Sequence, residues 1–256
     1  LKHPYLSHCK WNTEVPIAGQ GFVVAADVSQ EWLLPWWFEN YKKYNNLPVA
    51  FVDFGLSKEM KLWCGERGHY IHLPVADIFV SERDAFPPEK AAALEKEFGK
   101  RFWLCRNAWF KKPLACLQSP FQKSVWMDLD CEIKGRLDPL FSHPLPPLEV
   151  GLVREYKGSV EIGVNSGVIL FEKGAPLIED WAIESVENNG SYPGDQDALY
   201  TLILRKKVSF TTIPTVYNWS RLFQDNDKAL VVHWHGNHGK VMINHLVQKA
   251  LLGSLE

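Results

Sequence analysis

Gly21-Phe22-Val23-Val24-Ala25-Ala26 is a continuous apolar run without polar alternation, which predicts a strand buried on both faces. It ends at Asp27 and Ser29, residue types suited to entering a helix. Leu33, Trp37, Tyr41 and Tyr44 then recur at helical spacing until Asn45-Asn46-Leu47-Pro48 breaks the pattern. A second apolar strand, Val49 to Phe54, leads through Gly55 into a helix over 57–66, and His69 to Leu73 predicts a third strand. Strands and amphipathic helices in alternation mean parallel βαβ units, with right-handed crossovers and helices on both sheet faces.

Further along, Pro87-Pro88 through Phe98, closed by Gly99, has the proline start and glycine stop of a helix. Another helix is predicted over 107–117, carrying Trp109, Lys111, Lys112 and Pro113. Val125-Trp126-Met127 then predicts a buried strand that runs into Asp128-Leu129-Asp130. The proline-rich stretch 137–147 reads as loop or short turns, and Val150 to Arg154 as a strand. Gly163 to Phe171 reads as a glycine-bracketed polar turn entering an apolar strand. Helices over 176–188 and 195–206 and strands over 208–213 and 230–233 complete the pattern. With no internal repeat and no low-complexity linker, a single domain over 1–256 is expected, with an irregular arm over 1–20.

Composition narrows the class. Hydrophobic content of 46% and charged content of 23% suit a globular protein with a sizeable core. A net charge of −2 argues against nucleic acid as partner, because phosphate binding calls for a basic excess. No apolar run is long enough to span a membrane, and the N-terminus shows no signal-peptide pattern. Five widely spaced cysteines without a CxxC pair suit reduced thiols, hence a cytosolic protein. The 11 tryptophans suit either core filling or the walls of a sugar-binding cleft.

Candidate chemistry begins at Asp128 and Asp130. Side chains two apart at the end of a strand point the same way, and two carboxylates so held suit a hard divalent cation such as Mn²⁺ or Mg²⁺. The spacing alone is weak evidence, since the chain contains Asp-x-Asp three times, at 128/130, 195/197 and 225/227. The apolar strand feeding the first pair singles it out. A third ligand is offered by His233, at the end of another strand. After it, Gly236 and Gly239 allow close backbone approach to a phosphate and Lys240 adds a positive charge. Asp197 reads as an ordinary helix N-terminal residue, whereas Gln196 has no capping advantage there. Lys111 or Lys112 could neutralise a diphosphate if its helix faced the metal. No nucleophile elbow, Walker A sequence or dinucleotide fingerprint is present.

Taken in order, Val-Trp-Met-Asp128-Leu-Asp130, Asn165-Ser-Gly-Val-Ile-Leu-Phe, Asp195-Gln196-Asp197 and His233-x-x-Gly236 with a downstream lysine resemble retaining glycosyltransferases of GT-A fold. The chain is similar to the glycogenin-like and lipopolysaccharide galactosyl- and glucosyltransferase group. Trp109 through Pro120 also looks like the corresponding stretch of fungal-type α-mannosyltransferases. The resemblance implies an α/β fold with a mixed, mostly parallel central sheet flanked by helices. It implies a hexose transferred from a nucleotide-diphosphate sugar, in that group a UDP-sugar with a guanosine donor as the alternative, to an acceptor hydroxyl on a glycan, lipid or protein. It also implies a Mn²⁺ cofactor, Mg²⁺ being the alternative, and a site in the cytosol or at a membrane surface.

By the same resemblance Asp128, Asp130 and His233 are the metal ligands, and Gly236 and Lys240 the loop at the diphosphate. Asp27 falls where the nucleoside is contacted, Asn165 beside the donor sugar, and Asp195 and Gln196 near the anomeric carbon. Lys112 corresponds to a basic residue reaching the donor. One departure concerns Lys240, which lies one position later than the group's His-x-x-Gly-x-x-Lys pattern and lacks the following Pro-Trp. Two other functions fit parts of the pattern: a sugar-nucleotidyltransferase, for which the glycine-rich loop after the first strand is missing, and a non-catalytic carbohydrate-binding protein.

Overall fold

The computed structural model describes Leu6 and residues 18–73, 80–99, 101–157 and 160–253. Most of the expected arm over 1–20, with Cys9, lies outside the described residues. The chain opens with strand β1 (Ala18–Ala26), helix α1 (Leu33–Tyr44), β2 (Val49–Asp53), α2 (Lys58–Gly65) and β3 (His69–His72), as the apolar pattern predicts. Helices α3 (Pro88–Phe98) and α4 (Phe102–Leu117) follow, then β4 (Phe121–Met127), β5 (Cys131–Ile133) and the short α5 (Asp138–Phe141). The second half contains β6 (Val150–Lys157), β7 (Val160–Glu172), α6 (Pro176–Glu187) and α7 (Asp195–Lys206). It closes with β8 (Thr211–Thr212), β9 (Trp219–Ser220), β10 (Val231–His233) and α8 (Gly236–Gly253). No helix among the described residues is long and apolar enough to cross a membrane.

Seven strands form the main sheet in the order β3-β2-β1-β4-β7-β6-β8. Pairing is parallel from β3 through β4 and between β6 and β8, and antiparallel on both sides of β7. Strands β1, from Gly21 onward, and β2 are buried on both faces, which is why they read as unbroken apolar runs rather than alternating ones. Val23, Val52, Trp126 and Ile169 enter the core beneath α4, α6 and α7, while Phe22, Val24, Val125 and Met127 enter the core with α1. From β1 the chain extends the sheet on one side through β2 and β3, and β4 is later added on the other side. The crevice beyond the carboxyl ends of β1 and β4 is therefore a topological switch point, the place where open α/β sheets bind ligands.

Several elements depart from the sequence pattern, among them the helix expected over 107–117, which starts at Phe102, and the unexpected short strands β5 and β9. Gly163 to Phe171 is not a turn followed by a strand but part of one long strand, β7. Its pairing with β6 jumps from Leu152↔Ile169 to Val153↔Asn165, so 166–168 bulge out of that ladder. The bulge re-aims Asn165 and Ser166 toward the end of β4, where the Asp128 N–H donates to the Gly167 carbonyl at 2.8 Å. Gly236 to Lys240 is not an open loop but the first turn of α8. The strand expected over 208–213 shrinks to Thr211–Thr212.

A second sheet of three strands, β5-β10-β9, stands beside the main one and carries His233.

Candidate active site

Asp128 leaves β4 on the same side as Trp126, whose indole N–H donates to Asp128 Oδ1 at 2.8 Å. Asp130 follows one turn position later, its carbonyl accepting from the Trp234 N–H at 2.9 Å. This bond ties the Asp-x-Asp segment to the end of β10 and brings His233 against both carboxylates. His233 Nε2 lies 3.2 Å from Asp130 Oδ1 and 3.8 Å from Asp128 Oδ2. One ligand atom from each of the three residues falls within 4.8 Å of the others, the single such His/Cys/Asp/Glu group found among the described residues. Gly167 permits the approach, because a Cβ there would sit 2.3 Å from His233 Cε1.

The orientation of the imidazole follows from its neighbours. The Gly167 N–H donates to Asn165 Oδ1 at 2.9 Å, which fixes that oxygen as an acceptor. Asn218 Nδ2 donates to the same oxygen at 2.7 Å, so Asn218 presents its own Oδ1 to His233 Nδ1 at 3.0 Å. Nδ1 therefore carries a proton toward Asn218, and Nε2 faces two carboxylate oxygens. Two carboxylates and one imidazole nitrogen converging at this spacing could hold a metal ion, and the donor set suits Mn²⁺ or another divalent ion. The residues fit the metal that the resemblance implies.

Two lysines complete the electrostatics. Lys112, from the buried face of α4, is 3.1 Å from Asp128 Oδ1 and 2.9 Å from Asp195 Oδ2, with Ser166 Oγ at 3.0 Å. Burial favours its neutral amine, but Asp128 and Asp195 outweigh this and raise its pKa above the ordinary lysine value. Lys240, from the first turn of α8, is 2.9 Å from Asp130 Oδ2. Burial disfavours its charge too, and Asp130 restores it, leaving the pKa raised. Asp130 itself is desolvated, yet Lys240 and His233 hold its carboxyl well below the usual range. Asp195 is raised, chiefly by burial, with Asp128 adding to it against the pull of Lys112. His235, 2.8 Å from Ser220 Oγ through Nε2, is pushed down to about 4 by burial and by His233. It stays neutral at physiological pH.

Asp27, Lys112, Asp128, Asp130 and Lys240 line this cleft, Asp195 and His233 pair with residues that do, and Asn165, Gln196 and Gly236 neither line it nor make a side-chain bond to a residue that does. A cavity of about 100 Å³ at the switch point is lined by Asp27, Trp109, Lys112, Asp128, Asp130 and Lys240 among others. The Asp27 carboxylate is engaged by the Ser29 hydroxyl at 2.7 Å and by the N–H groups of Ser29 and Gln30. Gln196 Oε1 accepts from the Ser166 N–H at 3.1 Å and its Nε2 donates to Glu155 Oε2 at 2.7 Å. Asp197 caps α7, accepting from the Gly194 N–H at 3.0 Å. Gly236 has φ +81° at the entrance of α8. Gly239 is not freed for a ligand: a Cβ there would lie 1.5 Å from the Trp234 carbonyl oxygen, so it serves the packing of α8 on β10.

Sequence patterns miss three residues. Asn218 orients the proposed histidine ligand from β9's approach, Glu155 holds Gln196, and Arg106 holds the segment before it. Arg106 is fully buried and donates from Nη1 to the carbonyls of Tyr192 and Pro193, both at 2.6 Å, and from Nη2 to that of Asn189 at 2.9 Å. Its guanidinium also lies over the rings of Phe86 and Phe110, each 4.9 Å from the centroid. Only the high aromatic density around Arg106 hints at this in the sequence. Replacing Arg106 by leucine strands three carbonyls and should cost about 3 kcal/mol, on the order of 10 °C in a melting curve. Replacing Asn218 by leucine should weaken Mn²⁺ binding about 10- to 100-fold in a calorimetric titration, by freeing the imidazole to rotate.

No protein-family model matches the sequence, and no curated protein sequence matches it either. Solved structures do match. The galactosyltransferase LgtC, crystallised with donor and acceptor sugar analogs, superposes with a TM-score of 0.56 at 14% identity, over 89% of this chain and 94% of that one. Mouse xyloside xylosyltransferase 1 gives 0.54 at 15% identity, over 86% and 98%. The glycosyltransferase GlyE of Streptococcus pneumoniae gives 0.56 at 15% identity, over 91% of this chain and 64% of its own. Together with the mixed seven-stranded sheet, these likenesses show that the chain has the GT-A fold of these glycosyltransferases.

Proposed function

We propose that the protein is a metal-dependent retaining glycosyltransferase that moves a hexose from a nucleotide-diphosphate sugar, a UDP-sugar, to an acceptor hydroxyl. It would do so as one catalytic domain, in the cytosol or at a membrane surface. The observation that carries this reading is the convergence of Asp128, Asp130 and His233, its Nδ1 turned to Asn218, at the β1/β4 switch point. The enzymatic activities of the structural neighbours support it, as does the existence of an active-site glutamine-to-glutamate mutant of LgtC.

Charge balance favours an anionic donor. Asp128, Asp130 and Asp195 bring three negative charges and Lys112 and Lys240 two positive ones. Asp128, Asp130 and His233 would hold a divalent ion, which would make the cleft positive and would supply Lewis-acid stabilisation to a leaving diphosphate. Lys240, relieved of neutralising Asp130, would then pair with the phosphates, and Lys112 would share that charge from behind Asp128. Asp27 would receive the nucleoside and Asn165 the donor sugar, with the Gly236 turn bringing the α8 N-terminus to the diphosphate.

In the reaction the C1–O bond to the phosphate breaks and its electron pair stays with that oxygen. The acceptor oxygen bonds to C1 on the same face and its proton passes to the departing phosphate oxygen. Gln196, held at both ends of its amide, has a second lone pair on Oε1 with which to stabilise the cationic C1. Asp195 acts through Lys112, which it shares with Asp128. A thermal-shift panel of nucleotide sugars, with and without Mn²⁺, tests the reading. One donor should raise the melting temperature only with metal, by the equivalent of about 2.7 kcal/mol at a hundredfold excess over Kd. Failure of every donor to do so would refute it.

A further inference from the structure

The small sheet has two faces, and only one of them belongs to the cleft. His233 pairs with Cys131 of β5 and Ser220 of β9, while Val232 pairs with Glu132 and Trp219. Because successive side chains on a strand point to opposite faces, the row Cys131–His233–Ser220 faces the carboxylates and the row Glu132–Val232–Trp219 faces away. On that far side a cavity of about 290 Å³ opens, larger than the one beside Asp128 and close to the lower end of ligand-pocket sizes. We propose that it is a binding site for a neutral saccharide.

Its aromatic walls are held rigidly. The Trp219 indole N–H donates to the Gln224 carbonyl at 3.0 Å, and Phe223 meets the ring edge-on at 5.5 Å. The Trp234 indole N–H donates to Glu132 Oε2 at 2.9 Å, which fixes a second ring together with a carboxylate. Both indole N–H groups are thus spent within the protein, and what the rings offer a ligand is apolar surface, suited to the C–H face of a pyranose. Phe223 is 45% exposed and Leu222 67%, large apolar groups left on the surface of the same loop.

The polar lining decides the ligand's charge. Glu132, Asp225 and Asp227 set three carboxylates against the two cations of Lys134 and Arg221. Arg221 is also engaged, its Nε donating to the His235 carbonyl at 2.9 Å. A phosphate or nucleotide would meet net repulsion here, and a purely apolar ligand would strand the charged groups. A neutral polyol fits, because carboxylates and amides from the 224–227 turn accept and donate to hydroxyls while the rings cover its apolar face. That the saccharide is a non-reacting segment of the acceptor glycan rests on the glycosyl-transfer reading. That it is a saccharide rests on the cavity itself.

The test uses the full chain and a panel of glucose-, galactose- and mannose-based trisaccharides, without nucleotide or metal, followed by tryptophan fluorescence. At least one should bind, and Trp219→Ala should weaken it tenfold or more. Phe223→Ala and the pair Asp225→Asn with Asp227→Asn, all at exposed positions, should weaken it severalfold even if the tryptophan variant does not fold. Asp130→Ala should leave this binding unchanged. Binding that Asp130→Ala abolishes and the cavity variants do not would place the saccharide in the carboxylate cleft and overturn the proposal. So would a panel with no binder, or inorganic phosphate competing for the cavity. The Mn²⁺-dependent donor shift is read separately, so its absence refutes the transferase reading without touching this one.

Discussion

Asp130→Ala is expected to abolish Mn²⁺-dependent donor turnover, by at least about 100-fold, since it removes a proposed metal ligand with its charge. Loss of stability should accompany it. Asp130 neutralises Lys240 at 2.9 Å and faces His233 at 3.2 Å, and its removal leaves the ammonium group uncompensated. Breaking a fully buried pair costs about 3–5 kcal/mol, and the 25% exposure of the Lys240 side chain lowers this to about 2–3 kcal/mol. The double variant Asp130→Ala with Lys240→Met should recover most of the melting temperature and none of the activity. Unchanged turnover in the single variant would remove Asp130 from the metal site. Recovery of both properties in the double variant would mean that the residue serves only the fold.

The second large effect is expected at Lys112. Its ammonium group stands between Asp128 and Asp195 and is 5% exposed, so Lys112→Met leaves a buried carboxylate and a partly buried one without their shared cation. At neutral pH this should cost about 3–5 kcal/mol and abolish turnover. The pH dependence has a definite sign. Asp195 is already raised by burial, and loss of the lysine raises it further. A carboxyl whose folded pKa lies above its unfolded value binds more protons when folded, so stability falls as pH rises through that interval. The gap in melting temperature between the variant and the parent should therefore narrow on moving from pH 7 to pH 5. A gap independent of pH would show that the lysine contributes packing rather than charge. Adding Asp195→Asn to Lys112→Met should restore stability at pH 7 without restoring transfer.

Most of the scaffold was legible in the chain. Short apolar runs such as Phe22 to Ala26 and Val49 to Val52 fit strands buried on both faces, and the proline and glycine that bracket α3 mark its ends. Asp128, Asp130 and His233 were legible as candidates because they stand at or just beyond strand ends. The helix α8 was not, since Gly236 and Gly239 in its first turn depress helix propensity and, among its described side chains, Val241 and Met242 remain exposed. Its start depends instead on the contact of Gly239 with the Trp234 carbonyl, made between elements.

Sequence alone determined which residue types stand at the strand ends and that a parallel α/β sheet would present them along one edge. Only the tertiary structure decided how they combine. It turned residues 166–168 into a bulge, swung Lys112 from a helix face into a gap between two aspartates, and used Asn218 to choose a proton-bearing nitrogen of His233. The reason is physical. Strand periodicity is a local property of the backbone, written residue by residue, whereas the charge of a buried lysine and the orientation of an imidazole are set by partners 16 and 15 positions away in the chain.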